Sequence, residues 1–119
     1  MKKTLVLGAS PNPTRFSYKA VKSLVRHGFE AVPIGNRKGQ IMWQDIIIGK
    51  PELSDIHTVT IYLNPENQKE YYDYIINLAP KRIIFNPGSE NQELIQLAME
   101  NNIEVSIACT LIMLNTNNY

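Results

Sequence analysis

An apolar run that breaks abruptly into a turn near the start of the chain constrains its fold more than any other segment. Residues 3–7 are mainly apolar, and Gly8, Ala9 and Ser10 open a turn that leads to a helix-like segment at 17–27. Glycine lets backbone pass close to a ligand, serine offers a hydroxyl, and the following helix directs unpaired N–H groups at the same place. The pattern favours a nucleotide or another phosphate-bearing ligand, with an ordinary strand-to-helix turn as the alternative.

Length and charge exclude several classes of function. A chain of 119 residues is predicted to be one domain, residues 1–119, with room for a hydrophobic core. A net charge of +1, without an extended basic run, predicts no nucleic-acid partner. The single cysteine cannot form an intramolecular disulfide, and no stretch approaches the ~20 apolar residues of a membrane span. We therefore expect a soluble cytoplasmic protein without membrane association.

Strand-like and helix-like patterns alternate along the chain. Apolar, β-branched segments predict strands at residues 3–7, 30–34, 57–63, 82–85 and 104–107. Helical spacing of apolar residues predicts helices at residues 17–27, 65–78 and 91–100. Residues 40–51 carry conflicting signals and are predicted to be irregular, with one turn of helix at 52–55.

The order of these elements predicts an α/β fold in three layers, with a doubly wound parallel sheet of five strands between helices. We expect the strand order 3-2-1-4-5, in which the winding reverses between the first and fourth strands. A ligand crevice forms at the carboxyl ends of the strands at such a reversal. The turns that begin at Gly8 and Asn86 should then face each other across the crevice.

The residues around the crevice distinguish between nucleotide ligands. A G-x-G-x-x-G fingerprint would need glycines where Ser10 and Pro13 stand, and an NAD site would need an acidic residue after the second strand. That strand is followed instead by Arg37 and Lys38. Two basic side chains suit an additional phosphate on the ribose, as in NADP or in coenzyme A (CoA) with its 3′-phosphate. Solvated loop charges are the alternative.

A series of short motifs carries a resemblance to a known family. In chain order the motifs are Gly8-Ala9-Ser10-Pro11 with Ser17-Tyr18, Val32-Pro33-Ile34 leading to Lys38-Gly39, Asn86-Pro87-Gly88, and Cys109. The chain resembles the small CoA-binding protein family, whose domain is similar to the amino-terminal domain of succinyl-CoA synthetase α subunits. The resemblance covers nearly the whole chain. It implies a stand-alone Rossmann-like domain that binds CoA or an acyl-CoA.

The resemblance also implies roles for individual residues. Gly8, Ala9 and Ser10 would approach the phosphates with the assistance of Ser17, and Lys38 would lie near the 3′-phosphate, next to Arg37. Two later loops would contact the rest of the coenzyme. Leu63, Asn64 and Pro65 match a loop that faces adenine or pantetheine, and Asn86, Pro87 and Gly88 match the turn beside the thiol. The sequence departs from the family at Gly35-Asn36, where many relatives have Asn-Pro, and at Asn86, where glutamine is common.

The remaining reactive side chains suggest no reaction. Cys109 falls after the fifth strand, where it either packs in the core or meets the thiol of the coenzyme. His27 and His57 are not near a nucleophile, and no metal-ligand spacing is present. The synthetase reaction needs a phosphorylatable histidine in a further domain, which we do not expect here. We therefore predict a non-catalytic CoA-binding module, with an NADP-dependent small oxidoreductase or a protein-interaction domain as alternatives. A homo-oligomer and a separate protein partner both stay open.

Overall fold

The computed structural model describes residues 2–119, which contain one six-stranded sheet, a small hairpin and the helices around them. The strands are β1 (Thr4–Leu7), β2 (Ala31–Gly35), β3 (Gln40–Ile41), β4 (Gln44–Asp45), β5 (Ile47–Ile48), β6 (Thr58–Ile61), β7 (Arg82–Phe85) and β8 (Glu104–Ile107). The helices are α1 (Phe16–Arg26), α2 (Pro65–Gln68), α3 (Tyr72–Leu78), α4 (Gln92–Glu100) and α5 (Thr110–Asn115), with a 3-10 turn at Lys69–Tyr71 between α2 and α3.

The predicted class, an α/β fold with a doubly wound parallel sheet, is confirmed. The main sheet has the order β5-β2-β1-β6-β7-β8, and all of its neighbouring strands are parallel. Helices α1 and α5 bury apolar side chains against one face, whereas α3 and α4 cover the other. All four residues of β1 are buried because helices cover both sides of the strand, which explains its apolar run.

One strand lies elsewhere than the sequence predicted. The third predicted strand, at 57–63, was expected beside the second at the edge of the sheet, but β6 instead pairs with β1 on its other side. The two-residue strand β5 takes the predicted position beside β2, so the sheet has six strands rather than five. The winding therefore reverses between β1 and β6, and not between the first and fourth predicted strands.

The segment predicted to be irregular holds short elements that depend on tertiary contacts. Strands β3 and β4 form an antiparallel hairpin whose Ile41 is fully buried, and the side-chain amide of Gln44 donates to the carbonyl oxygen of Ala31 at 2.9 Å. The helical turn predicted at 52–55 is absent, and that stretch has no regular structure. Helix α5, which the sequence patterns did not predict, packs against α1 through the buried Leu114.

Within residues 2–119, none of the helices has the length and apolar character needed to cross a membrane.

Candidate functional site

A cleft of about 530 Å³ opens at the carboxyl ends of the central strands, where the winding of the sheet reverses. Its walls come from the segments that directly follow β1, β2, β6 and β7, together with the start of α1 and the helical segment after β6. Small-molecule sites in α/β sheets occupy this position and have volumes of this order. The cleft is therefore the candidate site.

The turn after β1 is shaped by Gly8, whose φ of +95° favours glycine. A Cβ at Gly8 would lie 3.1 Å from Leu63 Cδ2 and 3.2 Å from the Leu63 backbone nitrogen. The backbone N–H groups of Gly8 and Ala9 both donate to the carbonyl oxygen of Ile34, at 2.9 and 2.8 Å. These two amides thus hold β1 to β2, so Gly8 and Ala9 shape the cleft without offering their N–H groups to a phosphate.

Donors for an anion are instead found after the turn, at Ser10 and at the start of α1. Ser10 Oγ accepts a hydrogen bond from the backbone N–H of Asn12 at 3.1 Å, which leaves its own O–H to donate elsewhere. Arg15 is the N-cap residue of α1, and no described side chain caps the first amides of this helix. Because Arg15, Phe16 and Ser17 line the cleft, the positive end of an eleven-residue helix faces it.

The end of β2 and the loop that follows it fit against the turn after β1 only because both carry a glycine. A Cβ at Gly35 would lie 2.1 Å from the carbonyl oxygen of Ala9, and one at Gly39 would lie 2.4 Å from Pro11 Cβ. This close packing brings Arg37 to the cleft, whereas the exposed Lys38 lies outside its lining. Of the two cations predicted to bind a phosphate, Arg37 alone lines the cleft.

The two walls of the cleft differ in charge. Arg15 and Arg37 are both exposed and take no part in the ion pairs of residues 2–119, which join Lys3 to Glu30 and Lys69 to Glu66. Glu70 and Tyr71 line the cleft from the helical segment after β6. Burial, followed by the charge of Glu70, raises the pKa of Tyr71, so this phenol is neutral at physiological pH.

The loop after β6 contributes one of its three predicted residues to the cleft. Leu63 lines the cleft against the Gly8 turn, as does Tyr62 beside it. Asn64 is the N-cap of α2, where its side-chain oxygen accepts from the N–H of Asn67 at 2.9 Å, and Pro65 is the first residue of that helix. Asn64 and Pro65 are exposed and lie outside the lining.

The turn after β7 likewise contributes one of its three predicted residues to the lining of the cleft. Pro87 lines the cleft, whereas Gly88 is exposed outside it and donates its N–H to Glu90 Oε1 at 2.8 Å. Asn86 is 2% exposed, and its Nδ2 donates to Thr60 Oγ1 at 2.7 Å and to the Ile61 carbonyl oxygen at 2.9 Å. Its Oδ1 accepts from the Thr110 N–H at 2.9 Å. The Asn86 carboxamide thus connects strands and helix instead of facing the cleft.

Cys109 lies where the sequence predicted, directly beyond β8 at the carboxyl edge of the sheet. The free thiol belongs to the half-buried N-cap residue of α5 and is not part of the cleft lining. The hydroxyl of the neighbouring Tyr62 is buried and has no hydrogen-bond partner in the described part of the chain. Burial, with a smaller contribution from Cys109, raises the pKa of Tyr62 far above its usual value, so the phenol stays neutral beside the thiol.

Several lining residues were not predicted from the sequence. They are Arg15, Phe16, Gly35, Asn36, Tyr62, Asn67, Glu70 and Tyr71. Gly35, Asn36 and Tyr62 end or follow parallel strands, a position that by itself could have marked them. Glu70 and Tyr71 were not identifiable in this way, because their place depends on how the 3-10 turn folds back over the sheet.

The histidines of the chain lie away from this cleft. His57 precedes β6 at the opposite end of the strands, where its N–H donates to the carbonyl oxygen of Lys3 at 2.9 Å. Burial, followed by the charge of Arg82, lowers the pKa of His57. His27 follows the last residue of α1. Across residues 2–119, no three His, Cys, Asp or Glu side chains come together in a way that could hold a metal ion.

Fold and site together define a class of protein, a Rossmann-like α/β domain with a ligand cleft at the carboxyl edge of its sheet. A family model described as a CoA binding domain matches residues 2–115, and the chain belongs to this family. The resemblance seen in the sequence is thereby confirmed. No curated protein sequence matches the chain.

Solved structures show the same architecture. A crystal structure of an uncharacterized protein is 48% identical, with a TM-score of 0.98 over 100% of this chain and 98% of that one. A hypothetical protein from Pyrococcus horikoshii OT3 is 24% identical, with a TM-score of 0.83 over 97% of this chain and 82% of that one. The cell-free ID.343 protein from Thermus thermophilus is 18% identical, with a TM-score of 0.82 over 99% and 90%. The last two similarities support the fold alone.

Proposed function

We propose that the cleft binds CoA or an acyl-CoA and that the protein is a binding module without a reaction of its own. The observation that carries this proposal is the uncapped start of α1, which lines the cleft of a chain in the CoA-binding family. Beside it lie two arginines that have no ion-pair partner among residues 2–119. Open helix amides and guanidinium groups are the donors that phosphate recognition uses.

The cleft offers complementary surfaces for the parts of the coenzyme. The diphosphate would bind at the first amides of α1 and the Ser10 hydroxyl, with Arg15 beside it. Arg37, on the loop after β2, would contact the 3′-phosphate in a bidentate manner. The Phe16 side chain is 66% exposed at the rim, where a planar base or the pantetheine chain could cover it.

The character of the lining favours binding over catalysis. Among the described residues that line the cleft there is no histidine or cysteine, and the phenols of Tyr62 and Tyr71 are held neutral by their raised pKa values. Glu70 is the one carboxylate of the lining and is exposed to solvent. It stays a prediction that the protein is cytoplasmic, that it forms a homo-oligomer or binds a separate protein, and that it catalyses no reaction.

Calorimetric titration with CoA, dephospho-CoA, acetyl-CoA and NADP tests the proposal. We expect CoA to bind about 3- to 10-fold more tightly than dephospho-CoA, because Arg37 is exposed and solvent screens its charge-assisted contact. Arg37→Ala should remove this preference, whereas Lys38→Ala, the matched control from the same loop, should largely keep it.

The other outcomes discriminate between the alternatives. Tighter binding of NADP than of CoA would favour a small oxidoreductase, for which the basic loop after β2 is equally suited. Absence of binding by all four compounds would favour a protein-interaction domain and refute the proposal. Unchanged preference for CoA over dephospho-CoA in Arg37→Ala would remove this arginine from the phosphate site.

A further inference from the structure

Three buried carboxamides connect the loops at the carboxyl edge of the sheet. Gln68 at the end of α2 is fully buried, Asn86 after β7 is 2% exposed, and Asn91 before α4 is 8% exposed. Buried amides are stable only when their donors and acceptors are paired. Gln68 and Asn91 are hydrogen-bonded to each other, whereas the Asn86 carboxamide bonds to β6 and to the start of α5.

Gln68 contacts both loops that flank the cleft on this side. Its Nε2 donates to the carbonyl oxygen of Leu63 at 2.8 Å and to the carbonyl oxygen of Ser89 at 2.8 Å. Its Oε1 accepts from Asn91 Nδ2 at 2.9 Å, and the same nitrogen of Asn91 donates to the Tyr72 hydroxyl at 2.8 Å. Both donors and the acceptor of the Gln68 carboxamide are therefore used inside the protein.

The two carbonyl groups that Gln68 binds belong to segments with lining residues. Leu63 itself lines the cleft and packs against the Gly8 turn. Ser89 closes the turn that contains Pro87, because its N–H and Oγ donate to the Asn86 carbonyl oxygen at 2.9 and 2.7 Å. Gln68 thus joins the loop after β6 to the turn after β7 without touching the cleft.

We propose that Gln68 is a positioning residue that fixes this wall of the cleft before any ligand binds. A fixed wall lowers the entropic cost of binding, so loss of the Gln68 hydrogen bonds weakens the affinity for the ligand as well as lowering the stability of the fold. Asn91 fixes Gln68 in turn, since its Oδ1 accepts from the N–H of Glu93 at 3.1 Å and caps α4. The effect on ligand affinity rests on the proposed function, whereas the fixed wall itself does not.

Two substitutions at position 68 separate a positioning role from a general loss of stability. Gln68→Leu removes both donors, and we expect CoA to bind about tenfold more weakly at every pH. Gln68→Glu keeps the shape of the side chain and replaces its carboxamide by a carboxyl group that can titrate. At high pH its carboxylate faces two carbonyl oxygens, whereas at low pH the neutral acid donates to one of them and still accepts from Asn91.

The CoA affinity of Gln68→Glu, relative to wild type at the same pH, should therefore be about tenfold lower at pH 8 and within about threefold at pH 5.5. Wild type, measured in parallel, corrects for ionisation of the ligand. Gln96→Leu and Gln96→Glu make the same changes on the exposed side of α4 and should leave the affinity within about twofold at both pH values.

Hydrogen exchange of the protein without ligand provides an independent measurement. In Gln68→Leu, the backbone amides of residues 62–64, 86 and 88–91 should gain more in exchange rate than those of β1 and β2, which respond only to the general loss of stability. Wild-type CoA affinity and exchange in Gln68→Leu would overturn the inference, as would an equal increase in exchange rate at these residues and throughout the sheet. If wild type fails to bind CoA but the local exchange change is seen, the positioning role stands and the proposed function fails.

Discussion

Replacement of Asn86 by alanine tests whether this residue supports the fold or faces the ligand. The substitution removes two donated hydrogen bonds and one accepted bond from a side chain that is 2% exposed. It leaves the buried Ile61 carbonyl oxygen and the Thr110 N–H without these partners. Unmade buried hydrogen bonds cost about 1–3 kcal/mol each, and partial relaxation brings the expected loss to about 3 kcal/mol.

This loss translates into a large change in melting temperature. A domain of 119 residues has an unfolding entropy of about 0.25 kcal/mol per degree, so about 3 kcal/mol lowers Tm by about 12 °C. Circular dichroism during heating measures the change. Asn101→Ala is the control, because that exposed side chain makes a single bond, at 2.8 Å to the Leu97 carbonyl oxygen, and should shift Tm by only about 2 °C.

The increase in Tm that CoA produces should survive in Asn86→Ala, since the Asn86 side chain does not line the cleft. A melting temperature within about 2 °C of the Asn101→Ala protein would refute the structural role. Loss of the CoA-induced increase in a folded Asn86→Ala protein would instead return Asn86 to the ligand site, as the family resemblance implies.

Three further predictions concern Gly8, His57 and Cys109. Gly8→Val introduces a β-branched side chain at a φ of +95° and against Leu63, so Tm should fall and the CoA-induced increase in Tm should vanish. If CoA raised the Tm of Gly8→Val as much as that of wild type, this turn would have only a structural role. The folded-state pKa of His57 is lowered, so the unfolded chain binds more protons and stability should fall as pH drops through about 6.5. His57→Gln should flatten this decline in melts between pH 7.5 and 5, and an unchanged profile would exclude His57 as its source. CoA disulfide should form a mixed disulfide with the half-buried Cys109 more slowly in folded than in urea-unfolded protein. Intact-mass measurements over time give both rates, and equal rates would show that the thiol is freely exposed.

Local sequence signals determined most of the secondary structure. The apolar run of β1 and the helical spacing in α1 can each be recognised within a few neighbouring residues, and both elements lie within about one residue of their predicted bounds. The Asn64-Pro65 start of α2 is such a local signal too. The turn at Gly8 was also recognisable, because a glycine between a predicted strand and a predicted helix indicates a turn.

The placement of the third predicted strand was decided by tertiary structure. Residues 57–63 have the pattern of a buried strand on either side of β1, and the pattern carries no information on which neighbour they pair with. The position beside β2 is taken by β5, whose residues Ile47–Ile48 become a strand only by pairing with Ile34 and Gly35. Strand order therefore depended on contacts between distant segments.

The candidate site divides in the same way. The sequence marked the loops that form the cleft, because carboxyl ends of parallel strands gather at one edge of a sheet. It could not show that the amides of Gly8 and Ala9 bind Ile34, that Arg37 and not Lys38 reaches the cleft, or that Asn86 is buried. Residue type and spacing determine which groups stand at an edge, whereas the directions of side chains and the partners of buried amides are decided only when distant loops pack together.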